Sequence, residues 1–399
     1  MKKNLLFVIP GLSAGGGEKS LVNLLGQIDY TKYNVDLFLF NHDGIFMEHL
    51  PDNVRILPLP EAYETFSKPL QKSIITFLMR GELKSAFNRT AYSVVNRLSS
   101  NHSISEQRSW KYLSKTIGLI GGNYDVAIGF LEKTSTYFCV DNIKANKKIG
   151  WVHIDYNKMG MNKKMDEIYF NNLQSIVTVS EECANILKKT FPEQKSKVGV
   201  IYNIVSPMFI NSMANQKKEN VFPEASGETV ILSIGRLHYQ KGFDLAIKAC
   251  KVLIDKGYNV KWYIIGEGSE RNSLERLIKQ NNLEKHFILL GLKSNPYPYI
   301  EQADIYAQTS LFEGKAIAID EAKILAKPIL VTNFSTASDQ INNEENGLIV
   351  DINAGCVANG LEKMMNNRDL VQSYSTNLKQ QHLGTESEIE KLYNLINNG

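Results

Sequence analysis

The chain has 399 residues, 43% hydrophobic, 22% charged and 10% aromatic, a globular balance that excludes disordered, collagen-like and membrane-embedded classes. At about 100–200 residues per domain, such a length calls for two or three cores, each large enough to fold without disulfides or structural metal. The 45 Lys and Arg against 42 Asp and Glu leave a net charge of +3, too near neutrality to point to nucleic acid.

Met1-Lys2-Lys3 precedes an apolar run at 5–9 that soon meets Pro10 and a glycine cluster, which predicts a buried first strand and not a signal peptide. Short apolar, β-branched or aromatic runs then alternate with longer amphipathic stretches, the pattern of βα units around parallel sheets. Strands are predicted at 5–9, 35–40, 54–58, 125–130, 148–152, 176–179 and 198–202. A second set follows at 230–234, 260–265, 287–290, 304–308, 328–331 and 348–350. Between the sets, residues 212–228 are polar and turn-rich and read as an interdomain linker. The fold class is α/β, with two doubly wound Rossmann-like domains facing across a cleft, because open sheets of this kind bind ligands beyond the carboxyl ends of their strands.

Residues 61–117 break the rhythm and read as helical throughout. From Lys68 to Lys115 they carry Lys68, Lys72, Arg80, Lys84, Arg89, Arg97, Arg108, Lys111 and Lys115 against Glu82 and Glu106 alone. Their apolar face includes Ile74, Ile75, Phe77, Leu78, Phe87, Val94, Val95 and Leu98. Such a basic amphipathic insertion suits an anionic membrane surface, or equally a solvated helical layer packed on the sheet. No apolar stretch approaches the roughly 18 residues of a membrane span. A cytoplasmic protein is expected, peripheral on the inner face of the cell membrane if the insertion binds there. Cys139, Cys183, Cys250 and Cys356 lie far apart with no C-x-x-C pair, so neither a zinc site nor a disulfide framework is expected.

Three segments carry chemistry. Gly11-Leu12-Ser13-Ala14-Gly15-Gly16 resembles the start of a P-loop, but Glu18 separates Gly17 from Lys19 and would set a carboxylate beside the phosphates. What remains is a backbone-exposing loop at a helix N-terminus, or a plain strand-to-helix turn. Gly235-Arg236 and Lys241-Gly242 follow a strand and precede a helix; their guanidinium fork and point charge can hold a diphosphate, or they are surface cations in a loop. Glu313-Gly314 ends another strand, and a helix at about 315–325 sets Glu321 two turns on. Each carboxylate can grip a vicinal diol, one the ribose of a nucleotide and the other sugar hydroxyls. Alternatively Glu321 is a helix-face residue pairing with Lys323 or Lys327.

Glu313 and Glu321 with seven residues between, Ala322 and then Lys327-Pro328 resemble the E-x7-E motif of the retaining glycosyltransferase family 4 with the GT-B fold. Gly235-Arg236 with Lys241-Gly242 resembles its G-R-x4-K-G diphosphate site, and Gly15-Gly16-Gly17-Glu18-Lys19 its N-terminal G-G-A-E-R loop. Gly266-Glu267-Gly268, Val179-Ser180 and Tyr202-Asn203 match further positions, and the likeness runs from Leu5 to about Val350.

The resemblance implies an acceptor-binding domain at 1–207 with the insertion at 61–117, a nucleotide-sugar-binding domain at 208–384, and a C-terminal helix in 385–399 crossing back. It implies that Arg236 and Lys241 hold the departing diphosphate, Glu313 the donor sugar and Glu321 the ribose. Gly235, Gly266, Gly268, Leu292, Gly314, Lys315, Ala316 and Ile317 join them at the donor. His153, at a strand end, bonds the donor sugar near the reacting carbon, and Gly15, Gly16, Gly17 and Glu18 face the acceptor. A nucleotide-sugar, expected to be UDP-linked, would pass its sugar with retention to a lipid-linked or oligosaccharide acceptor in bacterial capsular, exo- or cell-wall polysaccharide assembly. No D-x-D occurs, and neither a cofactor nor an obligatory metal is expected. Ala326 stands where the family usually has glycine, which raises the cost of a left-handed helix end there. Two rivals remain: a GT-B epimerase or phosphorylase, told apart by where the sugar ends up, and a non-catalytic nucleotide-sugar-binding scaffold, told apart by donor turnover.

Overall fold

The computed structural model describes residues 2–13, 15–99, 101–216, 220–222 and 227–398. Every predicted strand is present. The first sheet contains β1 (Lys3–Ile9), β2 (Tyr33–Leu39), β3 (Val54–Ile56), β4 (Ile120–Gly129), β5 (Ile143–Val152), β6 (Ser175–Thr178) and β7 (Val198–Val200) in the order β3-β2-β1-β4-β5-β6-β7. The second contains β8 (Thr229–Ile234), β9 (Val260–Ile265), β10 (Phe287–Gly291), β11 (Ile305–Gln308), β12 (Ile329–Thr332) and β13 (Leu348–Val350) in the order β10-β9-β8-β11-β12-β13. The pairings within both sheets are parallel. Leu5 to Ile9 of β1 are all fully buried, as expected of a strand covered on both faces. β4 begins earlier than predicted: residues 120–124 pair irregularly, and Gly121-Gly122-Asn123 carries no apolar pattern to announce a strand.

The chain forms two compact units, one of Met1–Ser13, Leu21–Tyr202 and Ile389–Gly399, the other of Ala14–Ser20 and Asn203–Glu388. In the first, α1 (Gly16–Leu25) begins among residues that cluster with the second unit. The insertion forms α2 (Glu61–Ser67), α3 (Leu70–Met79), α4 (Leu83–Leu98) and α5 (His102–Ile117). One face of these helices enters the sheet's core, where Phe66, Phe77, Ala86 and Trp110 join Leu6, Val8 and Phe38. Burying a side chain such as Phe77 contributes about 1.5–3 kcal/mol. Further helices α6 (Thr134–Asp141), α7 (Lys163–Asn171) and α8 (Glu181–Thr190) follow β4, β5 and β6.

The predicted linker at 212–228 is corrected. The units part at Tyr202/Asn203, and α9 (Pro207–Ala214) starts on a helix-compatible proline and buries Ile210 and Ala214 in the second unit. The Phe222 ring lies tilted against that of Tyr263 with centroids 4.6 Å apart, so this stretch is packed onto the second core; 217–219 and 223–226 lie outside the described residues. The remaining helices of this unit are α10 (Phe243–Asp255), α11 (Arg271–Gln280), α12 (Tyr297–Gln302), α13 (Ile317–Ile324), α14 (Ala354–Asn366) and α15 (Arg368–Lys379). They build two apolar clusters, one on each face of the sheet, which is the doubly wound arrangement. The last helix, α16 (Ile389–Asn397), belongs to the first unit: Leu392 and Ile396 are buried, Tyr393 stacks on Tyr33 at 5.1 Å, and Lys3 Nζ donates to the Ile396 carbonyl at 3.1 Å.

Candidate active site

The strand order of the second sheet reverses between β8 and β11, and the crevice at such a switch point lies beyond the carboxyl ends of those strands. Residues 235–242 leave β8 there and residues 309–316 leave β11. Backbone bonds lock the neighbouring loops: Gly235 N–H donates to the Ile265 carbonyl at 3.0 Å, Leu237 N–H to that of Glu267 at 2.9 Å, and Gly266 N–H to that of Gly291 at 3.0 Å. Gly266 has φ +154°, and a Cβ on it would fall 1.9 Å from the Gly235 oxygen; a Cβ on Gly268 would fall 2.3 Å from that of Leu237. Gly242 sits at φ +60° with its α-carbon face against the Thr309 carbonyl, where a Cβ would come within 2.2 Å. These glycines let three strand ends close into one rigid platform.

On that platform the Lys241 stem runs over Gly235, where a Cβ would meet Lys241 Cε at 3.0 Å. Its Nζ reaches Glu313 Oε1 at 2.5 Å. The same oxygen accepts from Ser310 Oγ at 2.6 Å and Gln308 Nε2 at 3.3 Å, while Oε2 accepts from Gln240 Nε2 at 3.2 Å. Glu313 is 6% exposed, so this ring of donors is what makes its burial tolerable. Arg236 is exposed, and its guanidinium bonds to none of the described residues.

Glu321 is 1% exposed on the second turn of α13. Neither Lys323 nor Lys327 pairs with it: they donate to the carbonyls of Gln340 at 2.8 Å and Ala303 at 2.9 Å. Its partner is Lys19, whose Nζ bonds Oε1, with Tyr297 Oη donating to the same oxygen at 3.1 Å and the Lys19 ammonium 4.7 Å from the Tyr297 ring centroid. Burial alone would lower the Lys19 pKa; the charge of Glu321 and the Tyr297 phenol outweigh it and hold the pKa well above its ordinary value. Burial, then Glu321, raises Tyr297. Tyr306, fully buried and bonded to Gln308 at 2.7 Å, is driven well above the usual phenol range by burial and then by Glu321 and Glu313.

Several expectations are corrected. The loop with Gly15, Gly16, Gly17 and Glu18, read as an acceptor loop of the first domain, clusters with the second unit, and its Lys19 occupies Glu321. Ser20 Oγ donates to Asn203 Oδ1 at 2.8 Å in the same unit. The helix expected from 315 begins at Ile317, and the Ala316 N–H is already taken by Gln340 Oε1 at 3.0 Å. Ile317 is buried in the apolar core, Gly314 is buried, and the Lys315 ammonium turns toward Asp320 at 3.8 Å, so what these residues offer a ligand is backbone. Leu292, 38% exposed, follows β10 at the same edge. His153 follows β5 in the first unit, with its ring between Phe130 and Trp151 at 4.9 and 6.0 Å. Burial pushes its pKa down to about 3, against a weaker bond to the Phe130 backbone, and Nε2 is buried without a partner among the described residues. The imidazole is therefore neutral at physiological pH.

Ala326 adopts φ 51°, as the missing glycine foretold. Lys327 N–H donates to the Ala322 carbonyl and Ala326 N–H to that of Lys323, both at 2.9 Å, which is a Schellman end to α13 with alanine in the left-handed position. Sequence reasoning missed Gln240, Gln308, Ser310, Tyr297 and Gln340. The polar run Gln308-Thr309-Ser310 at the end of a buried strand was a usable signal; nothing marked Tyr297 or Gln340.

A paired carboxylate and lysine, an open arginine beside them and a second buried carboxylate, all at a switch point, suit a substrate with phosphates and hydroxyls. Residues 214–381 match the family model Glycosyl transferases group 1. An uncharacterized glycosyltransferase of Methanocaldococcus jannaschii is 29% identical over 206 residues, 49% of this chain and 50% of that one, so the chain spans about half of that relative. The N-acetylgalactosamine-N,N'-diacetylbacillosaminyl-diphospho-undecaprenol 4-alpha-N-acetylgalactosaminyltransferase of Campylobacter jejuni is 26% identical over 384 residues, 95% of this chain and 94% of that one. The solved structure of Anabaena HepE in complex with UDP-glucose shares the fold with TM-score 0.68 at 14% identity, covering 99% of each chain. The family match and these relatives support glycosyltransferase activity.

Proposed function

We propose that the chain is a retaining glycosyltransferase of family 4 that moves a sugar from a UDP-sugar to a hydroxyl of a lipid-linked or oligosaccharide acceptor in bacterial surface-polysaccharide assembly. The reading rests on one observation: the Lys241–Glu313 pair, ringed by Gln240, Gln308 and Ser310 in the loops that carry Arg236, whose guanidinium no described residue bonds, at the switch point of the second sheet. Arg236 and Lys241 would meet the diphosphate and stabilise the charge that grows on it as the sugar–oxygen bond breaks. Glu313, fixed by three neutral donors besides Lys241, would orient the sugar hydroxyls. Glu321 would accept from the ribose hydroxyls, either displacing Lys19 from Oε1 or through Oε2. His153, neutral, would donate to or accept from the sugar. UDP is favoured by the HepE complex, and a lipid-linked acceptor by the diphospho-undecaprenol in the Campylobacter enzyme's name. An α-linked product, as that name states, is retention when the donor is α-linked.

The two lysine and arginine charges would serve without an obligatory metal, so chelation should leave turnover unchanged. The chain would work in the cytoplasm. The test is a thermal-shift and turnover screen against UDP-, GDP-, ADP- and dTDP-sugars with Glu321→Ala in parallel. Stabilisation and turnover with UDP-sugars, with the stabilisation lost in the variant, supports the reading. Binding without turnover on any acceptor would replace it with a scaffold, and response to another nucleotide alone would overturn the choice of UDP.

A further inference from the structure

The helical insertion is apolar on two opposite sides. Its inner side, with Phe77 and Ala86 buried and Ile74 and Tyr92 packed against them, covers the first sheet. A solvated layer needs nothing more. Yet α4 also exposes Leu83, Phe87, Val94 and Leu98, at spacings of 4, 7 and 4 that fall on one helical face, with Phe87 68% and Leu98 82% exposed. On the other side of the short α3–α4 turn, Ile75, Leu78 and Met79 are exposed too, Met79 to 84%. Isolated exposed apolar residues are ordinary; a run of seven along one hairpin is not.

The charges within the two helices beside this face are basic. Lys72 lies one turn from Ile75, Lys84 one turn from Phe87 and Arg97 one turn from Val94, all exposed, and their charged ends bond to none of the described residues. Not every expected cation belongs here. Arg80 is paired with Glu61 at 2.7 Å, and Arg89 turns inward over the Phe66 ring at 5.1 Å, where burial lowers its pKa. A large apolar stripe rimmed by these cations, with no carboxylate within α3 or α4 and Glu82 alone in the turn between them, complements a surface that is apolar beneath and anionic above. No helix among the described residues is long and apolar enough to cross a membrane.

We propose that the α3–α4 hairpin docks in the plane of an anionic phospholipid bilayer. Leu83, Phe87, Val94 and Leu98 enter the acyl boundary, the Leu78-Met79 end of α3 leads, and Lys72, Lys84 and Arg97 meet the phosphates. This goes beyond the transfer reaction and is read without it, so its failure and the failure of the proposed activity are separate results.

The experiment is flotation of the full chain with vesicles of phosphatidylcholine plus phosphatidylglycerol, and with phosphatidylcholine alone. Wild type should float with the first and much less with the second. Leu83→Ser with Phe87→Ser should cut bound protein by about tenfold or more. Lys72→Glu with Lys84→Glu should cut it at least about tenfold on the anionic vesicles alone. All four positions are exposed, so unchanged melting temperatures keep the readout clean, and Val94→Ser with Leu98→Ser provides an independent apolar pair. Absence of wild-type flotation, equal flotation on neutral vesicles, or wild-type binding by the variants would each overturn the proposal. So would a wild-type dimer that ignores vesicles and that Leu83→Ser with Phe87→Ser makes monomeric, since the face would then belong to a second copy.

Discussion

Replacing Glu313 with glutamine keeps the shape of the side chain and removes one charge, and the donors around it make the outcome calculable. Oε1 accepts from Lys241, Ser310 and Gln308, and Oε2 from Gln240. An amide can put its oxygen at one of these places only. With oxygen at Oε1, its NH2 confronts the NH2 of Gln240, which is held in place by donating to the Phe312 carbonyl at 2.9 Å. The reverse orientation sets the NH2 against the Lys241 ammonium. Removing one partner of a buried pair costs about 3–5 kcal/mol. The Lys241 side chain is 17% exposed and can turn toward water, which favours the low end, about 3 kcal/mol. At roughly 2–4 °C per kcal/mol for a unit of this size, the second unit should melt about 6–12 °C lower by calorimetry. Lys241→Met combined with Glu313→Gln removes both charges and should melt higher than the sum of the single losses predicts. Transfer by Glu313→Gln should fall at least about 100-fold. A single variant that melts within a degree or so of wild type, or a double variant whose loss is additive, would refute the coupled-pair argument; wild-type turnover would refute the site.

Other substitutions probe separate features. Ala326→Gly relieves a left-handed alanine worth roughly 1–2 kcal/mol, less about 0.5–1 kcal/mol of added chain entropy, so the melting temperature should rise by a few degrees; a fall would show that the Cβ contributes packing there. Arg236→Ala should leave the melting temperature unchanged while weakening UDP binding about tenfold or more, read by calorimetric titration; equal affinity would remove Arg236 from the diphosphate. His153 titrates near its ordinary 6.5 when unfolded and near 3 when folded, so the unfolded chain binds the extra proton between them. Its share of stability is therefore complete above about pH 6.5 and lost as pH falls toward 3, and His153→Gln should flatten the decline of melting temperature with acid; parallel curves for both proteins would contradict the buried, neutral imidazole.

The sheets were legible because parallel strands covered on both faces leave continuous apolar runs such as Leu5-Leu6-Phe7-Val8-Ile9. The switch-point loops were legible through glycines that backbone contact demands, and Ala326 because only one residue type suits its conformation comfortably. Partnerships were not. Nothing local to Glu321 announces Lys19, which comes from the far end of the chain, and the nearer Lys323 and Lys327 looked the better partners. The linker was set too late because composition registers polar residues and not the buried Ile210 and Phe222 that anchor them. In the insertion, periodicity identified helices but could not say that Ile74 and Phe77 turn inward while Ile75 and Leu78 face out, since both sides of those helices are apolar.

The return of α16 to the first unit has a consequence for the order in which the protein is made. Ile389, Leu392 and Ile396 leave the ribosome after the whole of residues 203–388, yet they are buried in the unit begun first. The second unit is in effect a long insertion within the first, and can fold while its host still lacks a helix. Until α16 has been made, Tyr33 and the carbonyl-seeking Lys3 lack its Tyr393 and Ile396, so a chain cut before Ile389 would leave the older half unfinished and the younger half intact.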